Sequence, residues 1–350
     1  MLHEVAIAVL IAFGTSALLT WRVRALALTR GMLDIPNERS SHQLPTPRGG
    51  GLAIVISTTL VLAPLALTGV VRRDLAFALL GGGAMVAVIG LMDDRRQLSA
   101  RLRLAVHFAA ALWALVWLGG LPPVRIFEHT LSFGVTGYVL GSLGIVWTLN
   151  LFNFMDGIDG IAGTEAVFIC VAGALLTVVA GASAVVPTVA LVFGAACGGF
   201  LLWNWPPAKI FMGDVGSGYL GYIIAVLAVG AARENAVLWQ VWLLLGGMFF
   251  VDATVTLSRR LARGERVQQA HRSHAYQNLA HRWGSHKRVT VAMLVGNSVW
   301  LFPCALVATL FPDFATCAAL AGLAPLVLVA FAAGSGRGET SSVGADRADS

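Results

Sequence analysis

Eleven mostly apolar stretches run through a chain of 350 residues, each close to the ~20 residues that a helix needs to cross a bilayer core. They extend from Val5 to Trp21, Leu52 to Val70, Leu75 to Met92, Leu102 to Gly119, Ser132 to Leu151 and Ile161 to Ala180. The rest run from Ala184 to Trp203, Val215 to Gly230, Val237 to Leu257, Val289 to Leu310 and Phe314 to Ala333. With 12% charged residues, 57% hydrophobic residues and a mean hydropathy of +0.78, the chain cannot cover a soluble globule, which carries about 25% charge. That excludes a soluble enzyme, a disordered scaffold and a secreted disulfide domain. The fold class is an all-α integral membrane protein with about eleven transmembrane helices. No basic segment precedes the first stretch, so it reads as an uncleaved span rather than a signal peptide. One polytopic unit covers residues 1–334, and the Gly/Ser/Asp-rich residues 335–350 read as a disordered cytoplasmic tail. Cys170, Cys197, Cys304 and Cys317 lie in apolar runs without a CxxC pair, which suits buried small residues and no disulfide framework.

Charge orients the bundle. Numbering the loops alternately, one set holds 20 of the 24 Lys and Arg, and the other holds only Arg72, Arg73, Arg125 and Arg233. Lys and Arg gather on the cytoplasmic side, so the N-terminus is expected outside and the C-terminus in the cytoplasm. The net charge of +6 is then a topology signal and implies no nucleic acid. Trp21, Trp147, Trp203 and Trp205 fall at the inner interface, where an aromatic belt belongs. The inner loops are long and rich in Gly, Pro, Asp, His and Arg, which places function on the cytoplasmic face.

The inner loops also hold the acids. Asp93 and Asp94 end the third stretch, where two carboxylates oppose the helix dipole and repel each other. Arg95 and Arg96, or a divalent metal, would compensate them; a solvated helix end with local ion pairs fits as well. Asp156 and Asp159 lie in Asn153-Phe-Met-Asp-Gly-Ile-Asp-Gly160, three residues apart and so on one side of a helical turn. Asp214, in Phe211-Met-Gly-Asp-Val-Gly-Ser-Gly218, is either an N-cap or a metal ligand beside backbone N–H groups that could face a phosphate. The following Gly216-Ser-Gly-Tyr-Leu-Gly221 matches GxGxxG but follows no strand, so a dinucleotide site is rejected. Glu165 and Asp252 lie inside stretches, where acids are costly and functional by default; an ion pair of Asp252 with Arg259 or Arg260 is the structural alternative. Oxygen ligands from three loops suit Mg²⁺ or Mn²⁺, with substrate phosphates completing the shell.

Two basic loops face the same side. Residues Ser258 to Arg288 contain His271-Arg-Ser-His-Ala-Tyr-Gln277, His281 and His286. Without Cys and amid Arg, zinc is disfavoured there. Arg272 forked onto a phosphate, with His271 and His274 donating hydrogen bonds, is the anion-binding reading, and contact with anionic membrane lipids is the plain one. In the first inner loop, Arg39, His42 and Arg48 are further anion ligands, and Gly49 to Gly51 allow close backbone approach.

In chain order these segments read PNERSSH, PTPRGGG, DD, NFMDGIDG, FMGDVGSG and HRSHAYQ. The set resembles the polyprenyl-phosphate N-acetylhexosamine-1-phosphate transferases of glycosyltransferase family 4, over about residues 30 to 300. That family includes the initiators of O-antigen and enterobacterial common antigen and the phospho-muramoyl-pentapeptide translocase. The muramoyl branch has consecutive histidines where this chain has HRSHAYQ, and the extended first loop is closer to the O-antigen branch. The resemblance implies transfer of N-acetylhexosamine 1-phosphate from a UDP-sugar of GlcNAc, FucNAc or QuiNAc type to undecaprenyl phosphate, with release of UMP, at the bacterial inner membrane. It implies a catalytic centre of Asp93, Asp94, Asp156 and Asp159. Mg²⁺, or alternatively Mn²⁺, would sit on Asp214, Asp93 and Asp94. Asn153, His271, Arg272, His274, Arg48 and His42 would bind substrate, with Asp252 and Arg259 supporting them.

Three rivals stand against this reading. A transporter or flippase of a lipid-linked sugar would place its polar groups near the bilayer midplane, whereas these acids cluster at inner ends. A non-catalytic assembly protein leaves five loop carboxylates without a purpose, and a polyprenyl-diphosphate phosphatase would not depend on a UDP-sugar. The pairs Gly137/Gly141 and Gly194/Gly198 permit close helix contact, within one chain or in a homodimer.

Overall fold

The computed structural model describes residues 2–36, 44–265 and 272–337. Arg39, His42, His271 and residues 338–350 lie outside them. The described chain is helical apart from two short antiparallel pairs. Helix α1 (Leu2–Thr29) leads to β1 (Leu33–Asp34) and β2 (Thr46–Pro47), which pair with each other, then α2 (Gly51–Leu67), α3 (Arg73–Arg95) and α4 (Ala100–Leu118). The hairpin β3 (Val124–Ile126)/β4 (His129–Leu131) precedes α5 (Thr136–Met155), α6 (Ile161–Val179), α7 (Val185–Asn204) and α8 (Asp214–Glu234). Then come α9 (Leu238–Leu245), α10 (Gly247–Ala262), α11 (Ala275–Trp283), α12 (His286–Leu310) and α13 (Ala315–Ala332).

Each apolar stretch holds a helix or helix pair, but not all are straight, full-length spans. Among the described residues, nine helices are long and apolar enough to cross a membrane, and ten crossings result if α9 and α10 form one span. That pair bends by 73° at Gly246-Gly247, where helix propensity is low. Helix α2 has 17 residues, fewer than any of those nine. Helix α1 runs past Trp21 to Thr29, because Arg22 and Arg24 are good helix formers that carry it beyond the apolar stretch.

Helix α8 is the buried axis of the bundle and packs against α3, α5 and α2. Its glycines serve these crossings. A Cβ on Gly221 would lie 2.5 Å from the Thr148 carbonyl oxygen of α5, and one on Gly216 would collide with Met212 and Gly51. The GxGxxG spacing is therefore a small-residue packing face. A π turn over residues 78–82 interrupts α3, where the buried Tyr222 hydroxyl donates to the Ala78 carbonyl (2.7 Å). Insertion of a side-chain donor into a helical ladder is a recognised cause of such a turn. All four cysteines are free, Cys170 and Cys197 buried and Cys317 exposed.

Candidate active site

The C-terminal ends of α3 and α5 meet the start of α8, which glycines bring close: Gly221 lies against α5, and a Cβ on Gly90 of α3 would lie 2.5 Å from the Asp214 carbonyl oxygen. The segment after β2 closes over them by backbone pairing. The Phe211 amide donates to the Pro47 carbonyl (2.8 Å), those of Gly49 and Gly50 to the Phe211 carbonyl (3.1 and 2.9 Å), and that of Gly51 to the Met212 carbonyl (2.9 Å). Gly49 has φ of +99°, a conformation that favours glycine. This seam sets Arg48 over the start of α8.

Four carboxylates and two guanidinium groups gather there. Asp94, at the end of α3, accepts from the Asp214 amide on Oδ1 (2.9 Å) and from the Val215 amide on Oδ2 (3.1 Å). It thus caps, from another helix, N–H groups of α8 that have no intrahelical acceptor. Gly213 makes room for it, since a Cβ there would lie 2.7 Å from Asp94 Oδ2. Arg48 Nη2 bridges Asp94 Oδ1 (3.0 Å) and Asp214 Oδ1 (3.2 Å). Asp93 accepts from the Leu98 amide (2.7 Å) and from Arg103 Nη1 (2.5 Å), whose other carboxylate neighbour is Asp214 Oδ2 at 4.0 Å. Asn153 Nδ2, near the end of α5, donates to Asp214 Oδ1 (3.0 Å) and to the Ser217 hydroxyl (2.9 Å).

Asp156 faces this group from the turn after α5. Burial pushes its carboxyl well above the usual range, the Asp214 charge adds to that, Arg48 opposes it, and Asp94 and Asp159 add again. Burial works against the charge of Arg48, but the carboxylates of Asp214, Asp94 and Asp34 outweigh it and hold the guanidinium above its ordinary value.

Three of the expected site residues make contacts here that the sequence did not foretell. Asp94, expected as a metal ligand, has its two oxygens on backbone amides and Arg48, as Asp93 has its own on the Leu98 amide and Arg103. Asp159, expected in the catalytic centre, accepts from the Ala208 amide (3.0 Å) and stands 3.3 Å from His286 Nδ1. With Asn204, which accepts from the Gly160 amide (3.0 Å) and donates to the Ile210 carbonyl (2.9 Å), it fastens the segment leading into α8. Arg259, expected as a support, does not touch these groups directly: it donates to the Ser335 carbonyl and lies over the Phe331 ring, 4.8 Å from its centroid. Arg260 pairs with Glu265 (2.9 Å).

Residues 272–277 lie beside the Asp156 turn, and Asp252 sets them there. Asp252 Oδ1 accepts from the Ala275 amide (2.8 Å) and Oδ2 from the Tyr276 amide (3.1 Å), at the start of α11. His274 is buried, 3.6 Å from Asp252 Oδ1, and stacks with Phe154 and Tyr276. These contacts make it part of what organises the segment. Arg272 is partly exposed. The Tyr276 hydroxyl donates to the Phe154 carbonyl (2.9 Å), which joins this segment to the Asp156 turn. His42 and His271, both expected to bind substrate, lie outside the described residues. The sequence reading gave Arg103 and Asn204 no role at the site, and named His286 and Tyr276 only as members of the histidine-rich loop. By sequence Arg103 is one topology charge among twenty, although its place ten residues after Asp93 is a usable signal.

Among the described residues, no three His, Cys, Asp or Glu side chains surround one point closely enough to hold an ion alone. The donor set nevertheless fits a hard cation. Arg103 Nη1 lies between the carboxylates of Asp93 (2.5 Å) and Asp214 (4.0 Å), and clustered acids of this kind favour a cation among them. Mg²⁺ binds through one or two carboxylates and takes its other ligands from substrate phosphates and water.

Residues 76–232 match the family model described as glycosyl transferase family 4. The chain is 31% identical over 307 residues to a probable undecaprenyl-phosphate N-acetylglucosaminyl 1-phosphate transferase of Bacillus subtilis, covering 85% of this chain and 84% of that protein. It is 30% identical over 363 residues to a decaprenyl-phosphate N-acetylglucosaminephosphotransferase of Mycolicibacterium smegmatis, covering 94% of this chain and 87% of that one. A phospho-N-acetylmuramoyl-pentapeptide-transferase of Streptococcus pyogenes is 30% identical over 224 residues, covering 60% of this chain and 64% of that protein.

Proposed function

Because the chain belongs to glycosyl transferase family 4, the polyprenyl-phosphate N-acetylhexosamine-1-phosphate transferases, we propose that it transfers GlcNAc 1-phosphate from UDP-GlcNAc to undecaprenyl phosphate. The observation that carries this reading is the meeting of Asp93, Asp156 and Asp214 with Arg48 and Arg103 at one end of the bundle. GlcNAc is the donor sugar because two relatives covering most of the chain are named for it, ahead of the FucNAc and QuiNAc types. The product is the first lipid-diphosphate-linked sugar of a cell-envelope polysaccharide such as O-antigen. The Lys/Arg count supports a site on the cytoplasmic face of the inner membrane, with the N-terminus outside and the C-terminus inside.

An oxygen of the lipid phosphate attacks the β-phosphorus of the donor. The bond from that phosphorus to the bridging oxygen breaks, and UMP leaves with the oxygen. Positioning and charge neutralisation do most of the work in such a displacement. Asp93 and Asp214, with Asp156 beside them, would hold Mg²⁺, which when bound neutralises the diphosphate and the departing UMP. Arg48 and Arg103 keep 39% and 36% of their side chains exposed, so they can meet phosphate oxygens while tethered to the acids. Asn153 fixes the rotamer of Asp214. A phosphate monoester is mostly dianionic at neutral pH, its second pKa being about 6, so no side-chain base is needed and Asp93 acts through charge and position.

The test is purified protein with a panel of UDP-N-acetylhexosamines, polyprenyl phosphate and Mg²⁺, followed by extraction of the lipid. Sugar-bearing lipid with stoichiometric UMP supports the proposal. Folded protein that forms none with any donor would overturn it and favour the transport reading.

A further inference from the structure

The chain does not stop contributing to the site where its last helix ends. Residues 335–337, assigned by sequence to a disordered tail, are placed, and Ser335 is fully buried. The Ser335 hydroxyl donates to Asp252 Oδ1 (3.2 Å), the Gly336 amide donates to the Ser273 carbonyl (2.6 Å), and Arg259 donates to the Ser335 carbonyl. Asn278 of α11 donates back to the Ala333 carbonyl (3.1 Å). Gly336 has φ of +65°, and a Cβ there would lie 2.8 Å from the Thr256 carbonyl oxygen, so glycine is required in this turn.

Asp252 is the pivot. A buried carboxylate is tolerated only when its oxygens are satisfied, and Ser335 joins the Thr256 hydroxyl (3.0 Å) in satisfying Oδ1. The same carboxylate holds the first amides of α11. From there the Tyr276 hydroxyl reaches the Phe154 carbonyl, and Gly157 leaves space for it, since a Cβ would run into the Tyr276 oxygen. A continuous chain of contacts thus runs from Ser335 through Asp252 and Tyr276 to the Asp156 turn.

We propose that the turn Gly334–Gly336 after α13 is a positioning element that, through Asp252, seats residues 272–277 and the Asp156 turn against the UDP-sugar. Its catalytic consequence rests on the transferase reading; its structural content does not. Loss of a hydrogen bond to a charged group corresponds to a change of about tenfold. The experiment compares full-length protein with Ser335→Ala, Arg337→Ala, a chain ending at Arg337 and a chain ending at Ala333, in detergent. It reads amide hydrogen exchange over residues 273–280 and the steady-state constants for both substrates. Ser335→Ala should speed exchange of the Ala275 and Tyr276 amides about tenfold and raise the KM for UDP-GlcNAc by a similar factor. The KM for the lipid should stay as it was. The chain ending at Ala333 should show a larger effect in the same direction. Arg337→Ala, an exposed neighbour, and the chain ending at Arg337 should match full-length protein. Unchanged exchange in both Ser335→Ala and the chain ending at Ala333 would overturn the inference, as would loosening caused by removal of residues 338–350 alone. If no UDP-sugar supports product in full-length protein, the transferase reading fails, and the exchange data still decide the positioning.

Discussion

Replacement of Asp94 by Asn separates two roles that an acid pair at this position could have. In the structure Asp94 spends one oxygen on the Asp214 amide and the other on the Val215 amide, and it pairs with Arg48 at 3.0 Å. Asn is isosteric but offers one acceptor oxygen, so one amide at the start of α8 loses its partner. A buried donor left unsatisfied costs about 1–3 kcal/mol, and loss of a half-exposed charge pair adds about 1 kcal/mol or less. The variant should therefore lose about 1–4 kcal/mol, localised where α8 meets α3. Thermal unfolding in detergent, followed by loss of the monodisperse peak in size exclusion, measures this, with turnover assayed on the same preparations. The account expects a clear fall in thermal stability accompanied by loss of activity. Wild-type stability with abolished turnover would refute it and make Asp94 a group that acts on the substrate or metal.

Four further outcomes follow from the geometry. Asp214→Asn, at the most open of the three paired carboxylates, with 27% of its side chain exposed against 7% for Asp93 and 8% for Asp94, should keep the fold and lose Mg²⁺-supported turnover; a stability loss equal to that of Asp94→Asn would contradict this. EDTA should stop turnover and Mg²⁺ should restore it, and full activity in EDTA would remove the metal from the account. Gly157→Ala should push the Tyr276 ring off the Phe154 carbonyl and lower turnover at least tenfold; this corresponds to the ~1–1.5 kcal/mol of one hydrogen bond plus strain, and a normal kcat/KM would show that the contact is dispensable. His286→Ala should destabilise the segment around Ala208 without changing the Mg²⁺ requirement, which limited proteolysis and a Mg²⁺ titration would check.

The helices were legible because long apolar runs have one solution in lipid, and each of the eleven stretches coincides with a helix or a helix pair. The bend at Gly246-Gly247 and the π turn in α3 were not legible. They depend on partners far along the chain, such as Tyr222 against Ala78 and Ala110. The site's acids could be found because carboxylates at a membrane surface are costly and need a reason. Their division of labour could not. Asp93 and Asp94 are adjacent in sequence, yet one faces Arg103 and the other caps α8, a difference set by where α8 begins. Arg103 was hidden among topology charges of identical chemistry. Ser335 was hidden by a flexible composition, since Gly-Ser-Gly describes both a loose tail and a tight turn.

Phosphosugar transfer differs from simple glycosyl transfer in where the β-phosphorus goes. UDP-GlcNAc labelled at that phosphorus, incubated with the protein, undecaprenyl phosphate and Mg²⁺, tests the central claim directly. The account predicts that the label enters the lipid fraction while unlabelled UMP is released in equal amount. Label remaining in water-soluble UDP would mean that the sugar alone had moved, and label remaining in intact donor would mean that the carboxylate cluster binds without transferring.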